Sequence, residues 1–390
     1  MLLKMKNSLV VLKSLNKTKH FRLYLILIVL GLITLFSVVY YFYFQQGRLR
    51  NYSGNTGQSQ SWGQRPSGAQ NFGGPPQVAK KVRWSGPIPT PPKNKITFYK
   101  GLWSGNLIYP EEYSGLKLDL EKYKSWGVNI VNIAPGFEIN SNGEVRYPRD
   151  FPTYEDMDAR IGELAEKFYE NNIHLTMTVL VTYKKDFSKP GEDWAGVPIE
   201  LPKEIVGKPG YLDKLSIVVE DMAKIAQKYH IEMFAPMNEP ENIFGVKVAS
   251  SWNQTILPKI KKNYQGKIYY KGDLHNGEGD NLNFKGYDVL GIMPYPAEPL
   301  TNIEVLRKII DSNMDRALVW AKRDGVPQVV VAEHGFKGGN EMWPAKNIGI
   351  VLEEGSKKLN GVFLTEPIPA VWKTTQGEQI VTQMKKWFLK

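Results

Sequence analysis

The chain has 390 residues, a formal net charge of +11 and no cysteine, so disulfides, thiolate chemistry and cysteine-based zinc sites are excluded. The charge distribution argues against nucleic acid as a partner. The first 110 residues hold 15 Lys/Arg and no Asp/Glu, whereas the remainder carries 35 Lys/Arg against 39 Asp/Glu, a net of −4.

The basic excess begins at once, with Lys4, Lys6, Lys13, Lys17, Lys19 and Arg22 in segment 1–22. An uncharged apolar run, 23–44, follows. At about 1.5 Å per residue it reaches roughly 33 Å, enough to cross a bilayer core. Tyr40, Tyr41 and Tyr43 stand near its outer end, as interfacial aromatics do. Six basic residues on the inner side, against Arg48 and Arg50 outside, predict a cytoplasmic N-terminus. The expectation is a single-pass signal-anchor in the cell membrane, with the rest of the chain extracellular. A cleaved signal peptide is the alternative.

Residues 45–94 are rich in Gly, Ser, Gln and Asn, then in Pro, and predict a disordered linker that stiffens towards its end. Trp62, Phe72 and Trp84 interrupt it and are expected to be unstructured.

From residue 95 to 390 short apolar runs alternate with amphipathic stretches. The runs predict strands over 96–102, 129–134, 174–181, 232–237, 267–271, 289–293, 328–332 and 361–365. Helices are predicted over 116–126, 154–171, 211–229, 249–262, 303–324, 345–358 and 378–388, and the link 276–287 is poorly helical. The strands are rich in Val and Ile without strict alternation, as for parallel strands buried on both faces. Eight such units predict an α/β fold of the (β/α)8 TIM-barrel type. A doubly wound sheet is the runner-up, but Gly101-Leu102-Trp103-Ser104-Gly105 is not the phosphate-binding turn it usually carries.

In a barrel the active face is built from the loops after each strand. Polar residues at those ends are Glu138, Asn238 and Glu239, Asp273 and His275, Tyr295, Glu333 and His334, and Glu366. A carboxylate ending a buried strand is costly unless hydrogen-bonded or used, and glycosidic cleavage needs two. Spacing alone does not choose the pair among four glutamates. Segment 182–209, without clear periodicity, is expected to wall a substrate cleft.

Asn238-Glu239-Pro240 after the fourth predicted strand, with Glu333 ending the seventh, resembles clan A of the retaining glycoside hydrolases. The resemblance implies a glycosidase acting on β-linkages, with Glu239 as acid/base and Glu333 as nucleophile. It further implies that Asn238 bonds the sugar 2-hydroxyl, that Tyr295 donates to the nucleophile and that Trp372 floors the sugar subsite. One feature departs from the clan pattern: many members carry an arginine late in strand two, and Asn129-Ile130-Val131-Asn132-Ile133-Ala134-Pro135 has none.

His275 reads equally as a sugar contact or a loop residue, and His334 as support for its loop. Trp103, Trp194 and Trp343 read as sugar platforms or as packing. A carbohydrate substrate is expected, with no cofactor and no metal. Two alternatives stay open: a metal-dependent barrel sugar enzyme with Glu239, Asp273, His275 and Glu333 as ligands, and a catalytically silent carbohydrate-binding barrel.

Overall fold

The computed structural model describes residues 84–104, 107–109, 118–148, 151–183, 203–206, 208, 210–274, 277–295, 302–335, 345–365 and 375–390. The predicted basic segment, membrane span and most of the linker lie outside them. Among the described residues no helix is long and apolar enough to cross a membrane.

Eight strands close a parallel barrel: β1 (Tyr99–Ser104), β2 (Ile130–Ile133), β3 (His174–Thr178), β4 (Met233–Ala235), β5 (Lys267–Lys271), β6 (Val289–Ile292), β7 (Gln328–His334) and β8 (Gly361–Thr365). Each pairs with its sequence neighbours, and β8 returns to β1. The barrel, not the doubly wound sheet, is therefore the fold.

The helices between strands are α1 (Leu120–Ser125), α2 (Tyr154–Glu170), α3 (Tyr211–Lys228), α4 (Val246–Asn263), α5 (Ile303–Asp324), α6 (Ala345–Lys358) and α7 (Thr375–Phe388). Three of their starts follow side-chain chemistry. Asp119 accepts the Lys122 N–H and starts α1 later than the apolar pattern predicts. Thr153 caps α2 through the Asp156 N–H, and Asn302 caps α5 through those of Glu304 and Val305. Between β5 and β6 the described residues form only a 3-10 turn, Glu278–Asn281, matching the predicted poorly helical link.

Strand alternation divides the core in two. Outward side chains such as Ile268 and Tyr270 pack under the helices. Inward ones, Tyr99, Ile130, Met233, Ala235, Tyr269, Val289, Val330, Ala332 and Phe363, fill the barrel. Gly101 is required there, because a Cβ at that position would stand 2.2 Å from the Phe363 ring. Lys267 and Lys271 share the parity of Tyr269, so β5 carries an inward lysine at each mouth.

A small sheet made of Gly136–Ile139, Val145–Arg146 and Leu180–Tyr183 follows β2 and β3. The predicted strand 174–181 is thus two strands of different sheets. The chain leaves the barrel at Val179, and Leu180–Tyr183 pairs with Gly136–Ile139.

Trp84 corrects the expectation that it is unstructured. Its indole sits against Gly162, donates to Glu166 Oε2 at 3.1 Å and meets the Tyr229 ring edge-on at 5.7 Å. A Cβ at Gly162 would fall 2.6 Å from the indole, so the missing side chain makes the slot. Downstream, the Asn94 carbonyl meets His174 Nε2 at 3.0 Å.

Candidate active site

Just beyond β4 the chain makes an isolated bridge from Asn238 to Lys271, and the Glu239 N–H donates to the Lys271 carbonyl at 2.8 Å. Glu239 then turns into a left-handed conformation, φ 48° and ψ 55°, ahead of the short helix Pro240–Phe244. Asn172 and His230 also have positive φ, but both directly follow helix ends, where such a turn is an ordinary stop. Glu239 opens a helix instead. A left-handed non-glycine residue costs of order 1–3 kcal/mol, a strain that clusters at functional sites.

The turn presents the Glu239 carboxyl to two amides. Asn238 Nδ2 donates to Oε1 at 3.0 Å and Asn242 Nδ2 to Oε2 at 3.2 Å. The side chain keeps 19% exposure. Burial raises the Glu239 pKa; Lys271 opposes the shift, and the charges of Asp273 and Glu333 reinforce it.

Glu333 arrives by a different device. Val331 pairs with Val362 and His334 with Leu364, so Ala332 and Glu333 together oppose one residue of β8. This β-bulge changes the aim of the strand. Ala332 already faces the interior, and strict alternation would send Glu333 out under the helices. Instead Glu333 Oε2 meets Lys271 Nζ at 2.9 Å, and Oε1 accepts from Thr365 Oγ1 at 3.3 Å.

Lys271 joins the two halves, and sequence reasoning missed it. It is fully buried. Its Nζ donates to Asn238 Oδ1 at 2.5 Å and to Glu333 Oε2 at 2.9 Å, and lies 3.7 Å from Glu239 Oε1. It also stands 4.9 Å from the centroid of the Trp103 ring. Burial alone would lower its pKa, but the charges of Glu333 and Glu239 outweigh burial and raise it, so the amine stays protonated. Contacts of 2.9 and 3.7 Å to one nitrogen limit the separation of those two carboxylate oxygens to their sum, at most about 6.6 Å, against ~5–5.5 Å for retaining and ~6.5–9.5 Å for inverting carboxyl pairs.

Around this centre, Tyr295 accepts the Gly335 N–H at 2.7 Å and stacks on His334 at 4.9 Å. Burial, then the charge of Glu333, raises the Tyr295 pKa. His334 is fully buried, and burial lowers it to about 3, so it stays neutral. Trp103 Nε1 is buried with no partner among the described residues. Below Glu239, the buried Glu241 accepts from Tyr270 Oη at 2.5 Å and from the Asp273 N–H at 2.5 Å. Asn242 Nδ2 also reaches Asp273 Oδ2 at 3.4 Å.

Of the predicted site residues, the structure brings Glu239, Glu333, Asn238, Tyr295 and Trp103 to one mouth of the barrel. Glu138 is instead paired with Arg146, at 2.7 Å, on the small sheet. His275, Trp372, Glu366, Trp194 and Trp343 lie outside the described residues, as does most of segment 182–209.

No protein-family model and no curated protein matches the sequence. Solved structures do match its backbone. A GH113 β-1,4-mannanase is 16% identical with a TM-score of 0.55, over 76% of this chain and 100% of that one. The endo-1,4-β-mannanase of Rhizomucor miehei is 14% identical with a TM-score of 0.55, over 77% and 99%. Thermotoga maritima Cel5A, solved with cellobiose, is 13% identical with a TM-score of 0.53, over 74% and 97%. At such identities the likeness establishes the parallel eight-stranded barrel fold.

Proposed function

We propose that the chain is a retaining glycoside hydrolase that cleaves β-1,4-linked hexose polymers of the mannan or glucan type. The observation that carries the reading is the placement of Glu239 and Glu333 on either side of one buried ammonium, at the mouth formed by the strands' C-terminal ends. The solved mannanases and Cel5A, similar in fold, motivate the choice of sugar.

In this reading Glu333 attacks the anomeric carbon, the glycosidic bond breaks, and the Glu239 proton passes to the departing oxygen. Burial and the nearby charges favour the protonated Glu239 that this step requires. Esterification of Glu333 removes one of those charges. Glu239 is then more readily ionised, and its carboxylate takes the proton of the incoming water, whose attack releases the sugar and frees the Glu333 carboxylate. Trp103 stands beside this pair, with the Lys271 ammonium 4.9 Å from its ring centroid.

A metal-dependent reading fits less well. The Lys271 ammonium already stands where a divalent cation bridging Glu239 and Glu333 would bind. Activity is therefore expected to survive dialysis against EDTA. The uncharged run 23–44 and its inner lysines support an enzyme held on the outer face of the membrane. Protease added to intact cells should then release the barrel.

The test is digestion of a panel of β-mannans, β-glucans, xylan and galactan, with reducing ends measured. Cleavage of a β-1,4-hexan is expected. No cleavage of any β-linked polymer or chromogenic β-glycoside would overturn the proposal.

A further inference from the structure

We infer that Lys271 is the positioning residue of the carboxylate pair: its ammonium holds Glu333 and the Asn238 amide in one register and supplies the charge that lets both glutamates share the mouth. This rests on the glycosidase reading of the site and goes beyond it.

The first support is saturation of the ammonium. A lysine offers three donors and no acceptor. Two go to Asn238 Oδ1 and Glu333 Oε2 and the third to Met293 Sδ at 3.8 Å, while Glu239 Oε1 and the Trp103 face stand at 3.7 and 4.9 Å. A fully buried ammonium is tolerated only with such compensation. The second support is orientation. Because Lys271 can only donate, it must face the oxygen of the Asn238 amide, and the nitrogen is left for Glu239 Oε1 at 3.0 Å. One cation thereby sets the aim of both carboxyl groups.

The third support is charge balance. The groups facing this centre are Glu333 and the neutral His334 on β7, Glu239 after β4, Asp273 after β5, Tyr269 on β5 and Tyr295 after β6. Among the described residues Lys271 is the cation that meets both Glu239 and Glu333. Late in β2, Asn132 accepts from Thr178 Oγ1 at 2.7 Å and brings no charge. The missing strand-two arginine is thus answered from β5.

The test compares Lys271→Met with Lys271→Arg in the full chain, with circular dichroism and thermal unfolding as fold controls. Lys271→Met keeps the length and removes the charge. Its kcat is expected to fall by ~10²-fold or more, with KM changed by less than about threefold. The acidic limb of its kcat profile should move up by ~1 pH unit or more, because two carboxylates without a cation take up a proton sooner. Lys271→Arg keeps the charge and shifts the register. Its acidic limb should stay in place while kcat falls by roughly tenfold or more.

Proton uptake by the pair is also followed without substrate, by 13C NMR of glutamate-labelled protein. That measurement separates failure of the lysine assignment from failure of the glycosidase reading. An uptake unmoved in Lys271→Met overturns the role of Lys271, whatever the substrate panel shows. If Lys271→Met does not fold, Lys271→Arg decides, and a shifted acidic limb or an unchanged kcat there overturns the proposal.

Discussion

The first and last residues of β5 are both inward lysines, and each meets carboxylates at one mouth of the barrel. At the N-terminal mouth Lys267 contacts Glu232 at 2.9 Å and the Tyr99 hydroxyl, and Tyr99 also donates to Glu232 at 3.1 Å. Lys267 and Glu232 keep 37% and 27% exposure. One cation meets one anion, partly in water, and the cluster is electrically closed. At the C-terminal mouth Lys271 is fully buried and meets Glu333 at 2.9 Å and Glu239 at 3.7 Å. One cation now faces two carboxylates, with Asp273 close enough to raise Glu239 further. Such a cluster is short of positive charge, which favours a proton on Glu239. In the proposed reading the comparison teaches that the end serving stability balances its charges, whereas the end serving catalysis leaves one carboxyl that favours a proton.

The largest expected effect separates the two mouths. Glu333→Ala and Glu239→Ala should each lower kcat by ~10²–10⁴-fold or more with the fold intact. Azide should rescue Glu333→Ala with a product of inverted configuration. It should rescue Glu239→Ala, on substrates with good leaving groups, with a product of retained configuration. Glu366→Gln, at the competing strand end, should stay active. A dead Glu366→Gln beside an active Glu333→Gln would move the nucleophile.

A smaller effect concerns Glu241, beneath the active mouth. Burial pushes its pKa up to about 8, against the pull of its hydrogen bond from Tyr270. The folded state therefore holds a proton that the unfolded chain releases near its ordinary value of about 4.5. The stability gained is complete below about pH 4.5 and is lost as the pH rises to 8. Glu241→Gln should remove this slope, so that Tm falls by ~5 °C less between pH 5 and 8 than in the wild type. Equal slopes would show that Glu241 is ionised in the folded state.

Away from both mouths, Trp84→Ala should lower Tm by ~2–4 °C without touching kcat. A chain beginning at Lys93 should show the same loss. The smallest effect belongs to the closed cluster. Tyr99→Phe removes two partly screened hydrogen bonds, to Glu232 and from Lys267, and should cost ~1 kcal/mol of stability, with kcat unchanged. A tenfold loss of kcat there would break the division between the two ends.

Much of this division was legible in the sequence. Strong periodicity placed α5 and α6 at their observed bounds, and the short runs at β5 and β8 were placed equally well. The glutamates stood out because a carboxylate after an apolar run is costly without a use. Three features stayed hidden for physical reasons. The run 174–181 alternates His174, Thr176 and Thr178 with Leu175 and Met177 and then turns apolar over Val179, Leu180 and Val181, and that break in pattern does not by itself mark a change of sheet. The bulge at Ala332 and Glu333 is a matter of pairing with β8, and no single strand records it. Lys271 reads as a solvated strand end until the inward parity of Tyr269 is known. Alternation along Lys267-Ile268-Tyr269-Tyr270-Lys271 was the available signal, since an inward Tyr269 places both lysines inside the barrel.

The configuration of the first sugar released tests the central claim most directly. Proton NMR during cleavage of the polymer that the panel identifies resolves the anomeric signal before mutarotation. The proposed roles, Glu333 as nucleophile and Glu239 as acid/base, predict that the β-anomer appears first and the α-anomer grows in later. An α-anomer appearing first would mean direct attack by water, and would contradict the assignment of Glu333 as a nucleophile held beside Lys271.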